Sequence, residues 1–115
     1  VKIYASEVNE SGRHTWQYPK EQLDKLADTK IKLACVVNPS NPPSVAINEE
    51  SMFYLKHIVE SKNPDLMIVT DDVYGTFADK FQSLMCSMPY NRRLFLLKIL
   101  WCNRLASWRH CLSKR

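Results

Sequence analysis

KLACVVNPSNPPSVAI (residues 32–47) and DLMIVTDD (residues 65–72) decide how this chain reads. Each begins with a short apolar run of strand length. The first run stops at a proline cluster, which cannot donate to a central sheet ladder. Between the two lies a helical pattern. Asn48 is placed to cap it, and Glu49 and Glu50 follow in the first turn, where the helix dipole favours acids. Met52, Leu55 and Val59 keep helical spacing, and Phe53 and Ile58 widen the stripe. The helix should end near Asn63-Pro64, because a residue before proline avoids the α region.

Strand, helix, strand is a βαβ unit, so its strands should be parallel and its crossover right-handed. The fold class is therefore α/β. Parallel strands bring their C-terminal ends to one sheet edge, where open α/β sheets bind ligands. Asn38 follows the first strand, Asp71 ends the second, and Tyr74 comes three residues later. An amide, a carboxylate and a phenol converging there suit a flat aromatic cofactor such as pyridoxal phosphate. The carboxylate would keep a pyridine nitrogen protonated, and the amide and hydroxyl would bond a phenolic oxygen. The same residues also fit a plainer reading, in which an aspartate and a proline turn simply end two strands.

Working outward, residues 1–5 fit a strand, Asn9 to His14 (NESGRH) a turn-rich loop, and residues 19–28 a short amphipathic helix opened by Pro19. The chain has 115 residues and is 45% hydrophobic, enough for a core and too much for disorder throughout. No apolar run approaches a membrane span, and VKIYASEV does not resemble a signal peptide. The start lacks Met, as expected of a fragment. Cys35, Cys86, Cys102 and Cys111 form no CxxC pair and His14, His57 and His110 are scattered, so no metal site is expected. Buried or idle thiols in a reducing cytosol are expected instead.

The motifs carry a resemblance. KLACVVNPSNPPSVAINEESM, PDLMIVTDDVYGTFADKFQSL and then MPYN resemble fold-type-I pyridoxal-phosphate enzymes, across roughly residues 15–91. Within them the chain is most similar to the bifunctional aspartate 4-decarboxylases, lyases with residual aspartate aminotransferase activity. The usual Asn-Pro-Thr-Gly turn stands here as NPSN, in the longer NPSNPP form of that branch. The resemblance implies a fragment of the parallel-sheet large domain of the aspartate aminotransferase fold. It implies that Asn38 and Tyr74 meet the cofactor's phenolic oxygen and that Asp71 pairs with its pyridine nitrogen. It gives Asp72 only a structural place at the strand end. It also implies aspartate as substrate in the parent, a homo-oligomeric parent with sites built partly across subunits, and a cytoplasmic location.

The family's next motif should be Ser-x-Ser-Lys, then a glycine-bearing loop with Trp-Arg, and it is missing. In its place stands LFLLKILWCNRLASWRH, residues 94–110. All 12 acids lie in residues 1–90 with nine Lys and Arg, whereas residues 91–115 hold seven basic residues and no acid. The chain has two glycines, Gly12 and Gly75, where about eight are usual. Tryptophan has a single codon, TGG, and read one base later it always becomes glycine. Trp101 and Trp108 must therefore become glycines in that frame. With compatible codons the stretch becomes YSFSKYFGATGWRLGVT, which is the missing motif. Residues 91–115 are thus expected to be an out-of-frame tail, with the shift near residues 91–93, behind a partial cofactor-binding domain at residues 1–90. Lys98 survives as a lysine at the cofactor-attaching position, but its neighbours do not, and the phosphate-gripping arginine position is Ala106. It is at best a displaced nucleophile, because a reacting group depends on the shell that holds it.

Two other readings compete. PDLMIVTDD also resembles the phosphoacceptor strand of a receiver-like signalling domain, although VKIYASEV offers only Glu7 as an early acid. The basic tail with its tryptophans could serve a nucleic-acid-binding module. An aspartate aminotransferase fragment is the nearest alternative within the resemblance. The favoured expectation is a decarboxylase fragment with no activity of its own, and with neither nucleic acid nor membrane as partner.

Overall fold

The computed structural model describes residues 1–87 and 94–97. Its centre is a parallel sheet of three strands, β3 (Leu33–Val37), β4 (Met67–Asp71) and β5 (Leu94–Leu97), in that spatial order. Leu33 lies opposite Met67 and Val37 opposite Asp71, while β5 runs from Leu94 opposite Ile68 to Leu97 opposite Asp71. The two strands of the βαβ unit are therefore immediate neighbours, and all three C-terminal ends share one edge.

The connecting helix α2 (Glu49–His57) begins as its sequence dictates: the Asn48 side chain accepts from the Ser51 backbone N–H at 2.9 Å, which satisfies one donor of the first turn. Its final turn, Ile58–Lys62, widens to π geometry and closes with Asn63 N–H donating to the Ile58 carbonyl at 2.8 Å. Ser51, Met52, Leu55, Ile58 and Val59 are buried on its inner face. Phe53 does not join that stripe; it stands 74% exposed on the outer side.

Strand alternation decides which side of the sheet is covered. Ala34 and Ile68 are buried with the inner face of α2 in one core that includes Leu23, Leu26, Ile47, Leu66 and Leu84, and Thr70 is buried on the same side of the sheet. Leu33, Cys35 and Val37 point the other way and are exposed. Leu23 and Leu26 come from α1 (Lys20–Leu23) and the 3₁₀ turn Asp24–Ala27 that continues it, close to the helix expected at residues 19–28. A short α3 (Leu84–Ser87) supplies Leu84.

The N-terminal segment departs from its sequence reading. Residues 1–5 are not a strand. Instead β1 (Ser6–Glu10) and β2 (Arg13–Gln17) form an antiparallel hairpin through the middle of the supposed loop. Ser11 and Gly12 both take positive φ, 52° and 80°, the mirror-image turn that matches strand twist. Asn9 Oδ1 accepts from Gly12 N–H at 2.9 Å and steadies that turn. Of the cysteines, Cys35 is a free, exposed thiol, as an idle cysteine would be, whereas Cys86 departs from expectation because it is disulfide-bonded. Among the described residues no helix is long and apolar enough to cross a membrane.

Candidate functional site

Asn38 is the first residue past β3 and is fully buried. Its backbone N–H donates to the Asp71 carbonyl at 2.8 Å, which extends the β3–β4 ladder by one rung and fixes the two residues side by side. Its Oδ1 accepts from the Ile47 N–H at 2.9 Å, closing the loop that runs from Asn38 to the start of α2. Its Nδ2 is buried and, among the described residues, has no hydrogen-bond partner. A buried amide donor left unmet costs about 1–3 kcal/mol, so such a group in a native fold calls for an acceptor.

The loop between Asn38 and Asn48 is braced from within and from outside. Ser40 N–H donates to the Val45 carbonyl at 2.9 Å, the Ser40 hydroxyl reaches the same carbonyl at 3.0 Å, and Ser44 N–H donates to the Ser40 carbonyl at 2.8 Å. Ser44 takes the left-handed turn at φ 56°, and the Asn38-Pro39 and Asn41-Pro42 bonds are cis. The buried Gln17, from the end of β2, donates to the Ala46 carbonyl and accepts from Asn48 N–H, both at 2.9 Å. Nothing in the sequence marks Gln17, because its role depends on the β1–β2 hairpin, whose strands are polar.

Asp71 is half-buried at the end of β4. Its Oδ1 accepts from Val73 N–H at 3.1 Å, and among the described residues its carboxylate makes no ion pair. It is thus an anionic acceptor with capacity left for a cationic donor. Asp72 is engaged differently: it accepts from the Thr70 hydroxyl at 2.6 Å and from the Ser83 hydroxyl, tying α3's approach to the strand end. Tyr74 lies in the 3₁₀ turn Val73–Phe77 and is 43% exposed. Its hydroxyl accepts from Asn41 Nδ2 at 3.3 Å, and its ring leans on Phe77 with centroids 6.4 Å apart. That turn needs Gly75, because a Cβ there would stand 2.5 Å from the Phe81 ring.

The structure therefore brings Asn38, Asp71 and Tyr74 to one sheet edge, as their spacing predicts, and adds Asn41. Lys98, the fourth residue singled out by the sequence, lies outside the described residues, one position beyond β5. Among the described residues the set fits a flat heteroaromatic group: a buried N–H with no acceptor, a carboxylate with no cation beside it, and a half-exposed phenol. Among the described residues no group of three or more His, Cys, Asp or Glu side chains could hold a metal ion.

A parallel sheet with these residues at the C-terminal ends of β3 and β4 is part of the large domain of the aspartate aminotransferase fold. The pyridoxal-phosphate-bound C–S lyase of Staphylococcus hominis superposes with a TM-score of 0.59 at 21% identity, over 82% of this chain and 24% of that one. An alanine aminotransferase from Pyrococcus furiosus gives 0.54 at 17% identity, over 69% and 19%.

In sequence the likeness sharpens. The chain is 53% identical over 79 residues to the bifunctional aspartate aminotransferase and L-aspartate beta-decarboxylase of a Pseudomonas species, covering 69% of this chain and 15% of that protein. It is 29% identical over 70 residues to the kynurenine–oxoglutarate transaminase of Dictyostelium discoideum, covering 61% and 16%. The chain thus spans about one sixth of the length of these curated relatives. No family model matches it. The resemblance drawn from NPSNPP and TDDVYG is met by these comparisons in both sequence and fold.

Proposed function

We propose that this chain is a segment of a pyridoxal-phosphate-dependent aspartate 4-decarboxylase whose parent also transaminates aspartate, and that the chain alone is inactive. The observation that carries the reading is the buried, unpartnered Asn38 Nδ2, locked beside Asp71 at the sheet edge. The likeness to the Pseudomonas bifunctional enzyme supports the choice of branch.

In this proposal Asn38 and Tyr74 direct N–H and O–H donors at the cofactor's phenolic oxygen. Asp71 holds a proton on its ring nitrogen. When bound, the cofactor supplies an electron sink for the loss of the β-carboxylate of aspartate as CO₂, leaving alanine. Asp72 bears on none of this, because Thr70 and Ser83 already occupy its oxygens. Residues 91–115 are read one base out of step, so the lysine–arginine motif is lost and Lys98 has no matching shell. The parent is a cytoplasmic homo-oligomer that uses neither nucleic acid nor membrane.

Two measurements test this. The nucleotide sequence across residues 88–95 should resume the Ser-x-Ser-Lys motif one base over. The pure chain, mixed with pyridoxal phosphate and aspartate, should produce no alanine above a protein-free control, and its K98A variant should fix as much cofactor on borohydride reduction as the unaltered chain does. Sustained turnover by the pure chain would sink the reading of inactivity, and an uninterrupted alternative frame without the motif would remove the frameshift.

A further inference from the structure

Asn41 is tied to the site by one contact that the cofactor reading does not require. Its Nδ2 donates to the Tyr74 hydroxyl at 3.3 Å, from a loop 33 residues earlier in the chain. A phenol carries one donor and accepts through its lone pairs. When an amide N–H fills the acceptor side, the hydroxyl's own proton is turned away from that amide. Tyr74 is otherwise weakly held: it is 43% exposed, and its other described contact is the ring of Phe77, itself 85% exposed. Asn41, by contrast, sits in a turn fixed by the Ser40–Val45 bonds and by Asn38. The firmer partner therefore sets the aim of the looser one.

We infer that Asn41 is a positioning residue that presents the Tyr74 hydroxyl as a hydrogen-bond donor toward an oxygen acceptor bound beside Asn38 and Asp71. This deepens the proposed function and rests on it. Polarity is what the idea stakes. An amide at position 41 leaves the phenol proton for the ligand, whereas a carboxylate of the same shape can only accept, and would draw that proton to itself.

The test uses the whole chain labelled uniformly with ¹⁵N and at tyrosine ¹³Cζ, with Y74F and N38A assigning the two signals, and titrates it with pyridoxal phosphate and separately with 3-hydroxypyridine. In the unaltered chain both ligands should shift Tyr74 and the Asn38 side-chain amide. N41A should move the Tyr74 signal before any ligand is added and raise ligand half-saturation about two- to tenfold, the range of one net hydrogen bond. N41D should weaken ligand binding further than N41A while keeping Tyr74 ordered, an outcome that a mere packing role would not produce. In the Y74F background N41A should have no further effect on binding. A Tyr74 signal indifferent to N41A, or N41D binding as well as the unaltered chain, would overturn the inference while leaving the cofactor site in place. An unaltered chain in which neither ligand shifts Tyr74 or the Asn38 side-chain amide would instead overturn the cofactor reading, and the hydroxyl's role with it.

Discussion

A single side chain, Asn38, holds two demands that conflict without a ligand. Its Oδ1 is needed by Ile47 to shape the loop, and its Nδ2 is left unmet by burial. Deleting the amide removes both terms, whereas changing its polarity aggravates one. N38A should therefore destabilise the chain by about 1 kcal/mol, toward the low end of the range for a lost buried bond. N38D, which puts a charged oxygen in a fully buried position, should cost distinctly more. Urea unfolding of the three proteins checks the order, and an N38D as stable as N38A would show that the position is open to water. Asn38, Asp71 and Tyr74 were legible in the sequence because each follows directly from a strand end. Asn41 was not, since nothing in NPSNPP says which of its amides reaches a residue beyond the next strand.

Elements were legible where apolar periodicity and caps agreed, as in α2, and illegible where the strands were polar. SEVNE and RHTWQ bury little beyond Gln17, so only the Ser11–Gly12 turn marks the hairpin. Helix α2 is the element on which the core depends. Ile58 is fully buried at its C-terminal end, and I58A should cost about 2–5 kcal/mol, read as a fall in the urea midpoint. The same end carries a pH-sensitive tie to the 3₁₀ turn after α1. Lys62 Nζ donates to Asp24 at 2.7 Å, and the Tyr54 hydroxyl donates to the same oxygen at 2.8 Å. The Lys62 bond first, and the Tyr54 bond second, hold the Asp24 carboxyl below its ordinary 3.8, and the bond to Asp24 raises Lys62 above its ordinary 10.5. The Asp24 contribution is thus present above pH 3.8 and lost as pH falls through the lowered value. The Lys62 contribution is present below pH 10.5 and lost as pH rises through the raised value. Both groups are solvent-exposed, so the effect is small. K62M should flatten both limbs of the stability–pH curve relative to the unaltered chain, and identical curves would show that the tie contributes nothing.

At the scale of the whole molecule, the described residues cover the sheet on one face only. Helix α2, the α1 turn and α3 cover Ala34, Ile68 and Thr70, but Leu33 at 53% and Val37 at 40% exposure stand on the opposite face with Cys35. Strand β3 also lies at the edge of the sheet, with no strand beyond it among the described residues. The parallel order was legible from the βαβ pattern. That β5 would extend it was not, because residues 94–97 lie in the stretch expected to be out of frame. LFLL is apolar and suits a buried strand in the frame as written, which is physical reason enough for it to pair with β4 whether or not the tail was selected to do so. An uncovered apolar face beside an unpaired edge favours self-association. The chain should show concentration-dependent association by light scattering at neutral pH. L33K together with V37K should reduce it, since charge on that face opposes stacking without touching the core under α2. Because both positions are exposed, the urea midpoint should change little. A loss of stability comparable to that of I58A would mean that the face is covered after all.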